Sequence, residues 1–416
     1  MSCEFNAGND AKLQLGLGGT WGTKAAATIS LPFDTEGLKY MPKYAEANAK
    51  IGNTLTSRME ITSEHVEGDI TTWFTPEVIR MLIYAALGKE YSTIDGPAAS
   101  TYKHYYSPLK SGGACLPMLS AEVDRLKEVM TYDSLKVNSL SLKASKEDYV
   151  IATVSFVGHD EADAGALTAG INLSSLEYFK FRGAKVYADV GSGSVEMEDV
   201  SDIEFSYENN LVNDRFTSKK AGKLSEINPQ GRASSLKLTV YLSTAINAIR
   251  KTIFKTGATM AVELTFEIGD MVTGSTPYEV GILLPYCYLP EVPYNIDSSD
   301  EISFDLAFTV TDPDDVDFVG AGTGLDGQVI NLDIGDKIES GVLVKVLDED
   351  GQQRTYKYIS TSVTAVGAFV TFDDDGAGVD TIGSIFLAGP LFNDAEWEMA
   401  NGVNIYTIDG ESTDLV

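Results

Sequence analysis

The sequence predicts a mainly β or α+β protein built from antiparallel sheets, and three observations carry that expectation. The first is strict alternation. In AVELTFEIGD, Val262, Leu264, Phe266 and Ile268 alternate with Glu263, Thr265 and Glu267; in EISFDLAFTV, Ile302, Phe304, Leu306, Phe308 and Val310 alternate with Ser303, Asp305 and Thr309. A side-chain period of two turns one face to a core and the other to water, as antiparallel sheets do. The second observation is the scarcity of helical periodicity, which two segments show. The third is punctuation: Asp, Gly and Pro clusters cut much of the chain into short β-like runs. Together these exclude a wound parallel sheet.

In chain order, the first helix is TPEVIRMLIYAALG. Thr75 stands at the cap, Pro76 occupies the first turn where its missing N–H costs nothing, Val78, Met81, Leu82 and Ala85 share a face, and Gly88 stops the helix. Strands follow at Asp148–Gly158 and Ser234–Leu242. The second helix, STAINAIRKTIFKTG, repeats the design with Ser243 or Thr244 as cap, a stripe of Ile246, Ile249 and Ile253, and Gly257 at the end. Both stripes are short, so each is expected to be a packing face against a sheet.

The 416 residues are 44% hydrophobic and 22% charged, a globular composition with room for two or three domains. Neither a basic segment nor an apolar run opens the chain, so no secretion route and no membrane span is expected. Cys3, Cys115 and Cys287 have no metal-like spacing and fit a reducing compartment. The net charge of −30 argues against holding nucleic acid by phosphate neutralisation. From Glu291 onward there are 26 acidic residues against 4 basic, a net of −22, while residues 1–290 carry only −8. That shift is the clearest domain signal, with its pivot at TDPDDVDF (Thr311–Phe318). Beyond it, Gln328–Leu332, Gly341–Leu347, Ala368–Phe372 and Ile382–Ala388 read as strands of a small all-β domain.

Catalytic chemistry finds little support. His65, His104 and His159 are far apart and lack ligand spacing. GTGLDG places Gly322, Gly324 and Gly327 in a dinucleotide-like pattern, but a strand-like QVINLDIGD follows where a helix is required. DEDG (Asp348–Gly351) and DDDGAGVD (Asp373–Asp380) fall short of a calcium loop and read as hairpin turns. No catalytic residue, metal or cofactor is expected. LGLGGTWGT (Leu15–Thr23) lacks the Lys-Ser/Thr pair of a phosphate cradle, which leaves a Gly-rich turn with Trp21 in the core, or a hinge used in assembly.

Several stretches, taken in order, resemble one family. LGLGGTWGT followed by SLPF, GDITTWFTPEVIRMLIYAALG, HYYSPLKSGGACLPMLSAEVDR, DIEFSYENNLVND and NPQGR are similar to successive hallmarks of the tail tube proteins of long-tailed bacteriophages. The resemblance spans residues 12–310. It implies a β-sandwich or barrel with one or two flanking helices, six copies of which form a ring. Stacked rings make the conduit for DNA ejection, with no enzymatic activity.

On that reading residues 1–312 are the core, with 1–40 as an N-terminal arm. Residues 313–392 resemble an acidic β decoration, and 393–416 contain a possible strand returning to the core, which would make the acidic domain an insertion; the alternative is that everything from 313 onward is appended. Leu15, Gly18, Trp21, Gly22 and Thr23 are the expected subunit interface, and Glu263, Glu267, Glu301 and Asp305 the lumen-facing candidates. The implied partners are further copies of the chain and the tape measure, terminator and baseplate proteins. DNA passes without specific binding, and the place of action is the virion tail, assembled in the host bacterial cytoplasm. A capsid or tail-terminator protein, or a calcium-binding surface adhesin, is the competing reading.

Overall fold

Alternating burial along each strand shows which side of the chain meets the core. In Val200–Glu208, Ile203, Phe205 and Tyr207 are buried while Glu204 and Glu208 are exposed; in Ser303–Val310 the same holds for Phe304, Leu306 and Phe308 against Ser303 and Ala307. The computed structural model describes residues 10–47, 58–94, 102–109, 115–189, 194–217, 222–273, 276–292, 303–311, 343–347, 353–364, 367–373, 379–385 and 404–409.

Before the first helix come β1 (Lys12–Gly18), β2 (Ile29–Leu31), β3 (Phe33–Glu36), β4 (Lys39–Ala47) and β5 (Arg58–Trp73). Helix α1 (Pro76–Leu87) leads into β6 (Gly88–Ile94), β7 (Tyr102–Pro108), β8 (Met118–Asp124), β9 (Val129–Ser145), β10 (Ile151–Gly158) and β11 (Asp160–Asp163). Next are β12 (Ala184–Asp189), β13 (Ser194–Glu196), β14 (Val200–Glu208) and β15 (Ala233–Tyr241), then α2 (Thr244–Ile249), β16 (Met260–Thr273), β17 (Thr276–Glu291) and β18 (Ser303–Val310). The protein is mainly β, and every ladder between these strands is antiparallel.

Two long strands branch the large sheet. One edge of β9 carries β11 and then β10, while its other edge carries β8 and then β14. From β14 the sheet runs through β15 and β18 to β17. There one edge of β17 pairs with β16, and the other with β18 at Cys287–Glu291 and with a late strand, β23 (Asn404–Asp409), at Glu279–Leu283. β23 in turn pairs with β7, and β7 with β6. The branches enclose α1, which touches β2, β6, β7, β9, β17 and β23.

That enclosure corrects the expectation of a one-faced helix. Val78, Met81, Leu82 and Ala85 are buried as expected, and so are Ile79, Arg80, Ile83, Tyr84, Ala86 and Leu87 on the remaining sides. Thr75 stands at the cap position, yet its hydroxyl makes no cap bond; its carbonyl accepts from Ile79 N. Gly88 ends α1 in the left-handed conformation (φ 93°) that a side chain would resist, and its N–H donates to Tyr84 O. Ser243 caps α2 by accepting from Ile246 N, and the helix runs on as a π-turn over Arg250–Phe254.

Between β18 and β23 the chain forms a separate four-stranded meander: β19 (Leu343–Leu347), β20 (Gln353–Thr364), β21 (Gly367–Asp373) and β22 (Val379–Ile385). The acidic section therefore leaves the large sheet after β18 and the chain re-enters it as β23. Asp373 faces Val379 across β21 and β22, so DDDGAGVD joins two antiparallel strands. β22 begins at Val379, before the expected Ile382, and β20 was not anticipated. Gln328–Leu332, the GTGLDG glycines and DEDG lie outside the described residues.

Candidate functional site

The Gly-rich stretch starts as a strand and ends as a tied loop. β1 pairs with β8 and β2, and Leu13 and Leu15 are fully buried. Gly16 is required here, because a Cβ at that position would lie 2.0 Å from Ala26 O, where the returning chain crosses β1. The loop tip turns with Thr23 N donating to Thr20 O (3.1 Å). Trp21 Nε1 donates to Leu224 O (3.1 Å), Gly22 N to Ser134 Oγ (2.7 Å) and Ala25 N to Ser120 Oγ (2.9 Å). Lys136 Nζ stands 5.5 Å over the Trp21 ring, and His159 meets that ring edge-on at 5.9 Å.

Two buried charges hold this loop. Glu122 on β8 is 1% exposed and ion-paired to Lys24 (2.8 Å). Burial works to raise its carboxyl pKa, but the Lys24 ammonium with the Thr168 N–H and hydroxyl outweighs that, keeping it below the ordinary carboxylate range. Lys136 on β9 is wholly buried; its ammonium donates to Glu226 Oε1 (3.0 Å) and Ile227 O (2.8 Å). Of the expected interface residues, Leu15 is therefore sealed in its own subunit's core, Gly18 and Trp21 are half-buried, and Gly22 and Thr23 are exposed. Removing residues 1–23 as a detachable arm would remove β1 as well.

The three histidines occupy three different settings. His65 is buried without a hydrogen-bond partner for either ring nitrogen, although its Nε2 lies 3.5 Å from Glu67 Oε2. His104 belongs to a sealed cluster in which Arg80 Nε (3.1 Å) and the Tyr106 hydroxyl (3.0 Å) donate to Glu90 Oε1, with His104 Nδ1 at 3.3 Å and the Thr407 hydroxyl 3.5 Å from Tyr106. Burial, and then the Glu90 charge, push the Tyr106 phenol well above its usual value. His159 Nδ1 lies 3.0 Å from Asp133 Oδ1, and with Asp160 these residues form a trio whose ligand atoms lie within 4.8 Å of one another. Lys223 already bonds Asp160, so a protein ammonium supplies the counter-charge a metal would bring. The spacing of the chain hid this trio, because the β9–β11 register sets Asp160 opposite Asp133.

Three of the lumen candidates, Glu263, Glu267 and Asp305, are partly exposed on strands of the large sheet. Glu263 is opposite Tyr187 and Leu283, and Glu267 is opposite Glu279 and bonded to Lys185 (2.7 Å). Asp305 pairs with Lys237 (2.8 Å) and accepts from the Thr239 hydroxyl (2.8 Å), contacts that hold its carboxyl below the usual range. Glu301 lies outside the described residues. Of the cysteines, Cys287 is buried, its thiol pushed up by burial, and Cys115 is exposed. No helix among the described residues is long and apolar enough to cross a membrane.

The motifs that define the core also match a known family. A family model described as phage tail tube protein matches residues 8–311. The chain belongs to that family. No curated protein matches it. The match makes this a structural component of a phage tail, and it stops one residue past β18, so the acidic meander lies beyond the matched tail-tube region. β23 also lies beyond it, although it completes the large sheet.

Proposed function

We propose that this tail tube protein closes into hexameric rings that stack into the conduit for DNA ejection. The observation that carries the reading is the family match over residues 8–311. The fold supplies surfaces suited to it. β4 and the start of β5 form a hairpin whose far end exposes Tyr44, Met59 and Ile61, with Tyr44 and Ile61 directly opposite each other. An exposed apolar pair on an edge hairpin invites pairing unless a neighbour covers it. Gly22, Thr23 and the outer side of Trp21 would form a second contact, on a loop that its own subunit holds in shape.

Glu263, Glu267, Glu301 and Asp305 remain the proposed acidic lining, and the tape measure, terminator and baseplate proteins the proposed partners in the virion tail. The acidic meander would decorate the outside and keep tails apart by like-charge repulsion, an effect that salt weakens. The test is negative-stain microscopy of the purified chain beside Ile61→Asp and Thr23→Arg variants. Wild-type protein should form stacked annuli, and the variants should remain folded single subunits. Tubes of normal length from both variants would discard these contacts.

A further inference from the structure

A row of side-chain hydroxyls crosses the wet face of the large sheet at right angles to its strands. Thr71 of β5 is paired with Thr153 of β10, Thr153 with Ser141 of β9, Ser141 with Ser206 of β14, Ser206 with Ser235 of β15, and Ser235 with Thr309 of β18. Six successive strands thus place a hydroxyl at one level. None of the six is buried, while Ile70, Val154, Leu140, Phe205, Leu236 and Phe308, each next to a row residue in sequence, are core.

Sheet stability alone explains the row poorly. Hydroxyl pairs stabilise a sheet when they bond each other across strands, and of these six only Thr71 and Thr153 do so, at 3.4 Å. The level beside the row carries charge in alternation, with Lys143 opposite Glu204 and Glu204 opposite Lys237, so that any cation there has an anion next to it. A wall of this kind offers short side chains that both donate and accept, with no free cationic stripe.

We infer that this row faces the channel and is the surface past which the DNA duplex slides; the inference rests on the tail-tube reading above. Lysines along the wall would displace condensed counterions and hold phosphate, with an affinity that climbs as salt falls. Hydroxyls exchange phosphate contacts for water contacts at little net cost, directly or through one bridging water. The row therefore wets the duplex without gripping it.

Two experiments separate this inference from the reading beneath it. Tubes built from Ser141→Cys and, separately, Ser206→Cys in a background carrying Cys3→Ser and Cys115→Ser are treated with a small maleimide and with a maleimide carried on a polymer too wide for the bore. Free subunits should label with both reagents and intact tubes with the small one only. Equal labelling of tubes by the wide reagent places the row outside and overturns the inference while leaving the tube standing; wild-type protein that never forms tubes overturns both. In phage carrying Ser141→Lys or Ser206→Lys, ejection should slow at least tenfold at low salt and recover as salt rises, whereas Ser206→Ala should match wild type. Normal ejection from both lysine variants at low salt would also sink it.

Discussion

The large sheet and the acidic section use their carboxylates in opposite ways. In the sheet, acids are tied: Glu122 to Lys24, Glu267 to Lys185, Asp160 to Lys223, Asp305 to Lys237 and Glu36 to Arg125. In the section after β18 most acids have no base of that section to pair with, since from Asp312 onward 21 acids face 4 bases. Charge in the first region fixes local geometry, and charge in the second acts at a distance. The family match follows the same division, since it ends at residue 311.

The largest effect that would test this division concerns β23, which belongs to the sheet by pairing although it follows the acidic section. Removing residues 404–416 should strip β17 and β7 of a partner and uncover Glu90, whose side chain is fully buried. Losing that cover should cost on the order of 3–5 kcal/mol, read as a lower urea midpoint. Replacing residues 313–392 with a Gly/Ser linker should leave the core's melting temperature unchanged; a fall in both variants would erase the division.

Next in size are the buried polar ties. Asn209 is fully buried, and its side-chain amide donates to Ala86 O (2.8 Å) at the end of α1 and to Val137 O (3.0 Å) on β9. Asn209→Ala orphans both carbonyls and should cost roughly 1–3 kcal/mol in chemical denaturation. A smaller, pH-dependent effect comes from Glu122. Its folded pKa lies below the value the same carboxyl has in the unfolded chain. Its contribution is therefore complete above that unfolded value and is lost as pH falls through the folded one. Denaturation midpoints at neutral and acid pH should differ less in Lys24→Ala than in wild type. The smallest effect belongs to the exposed Lys185–Glu267 pair, where Lys185→Ala should change stability by only ~0.2–1 kcal/mol, less at high salt.

The sequence made some of this legible and hid the rest for physical reasons. Residues that act locally were readable: Pro76 and Gly88 bound α1, and alternation placed β10, β15, β16 and β18. Pairing between distant strands was not, because alternation gives a strand's faces and never its neighbour. The branches at β9 and β17 therefore had no local signal, and neither did the meeting of Tyr106 with Thr407 across the chain. The one-sided stripe assigned to α1 failed for the same reason, since only the enclosing branches bury its remaining sides. Leu15 and Trp21 stood together in one Gly-rich stretch, yet a strand took the first and a loop the second. The hydroxyl row depends on six registers at once, so no single stretch of sequence contains it.

Self-association is the central claim, and sedimentation velocity of the purified chain over a wide concentration range tests it most directly. Mass should move from the 44.8 kDa subunit into large, discrete assemblies that microscopy resolves as hollow and stacked. A single 44.8 kDa species at every concentration, with nothing annular in the images, would contradict it.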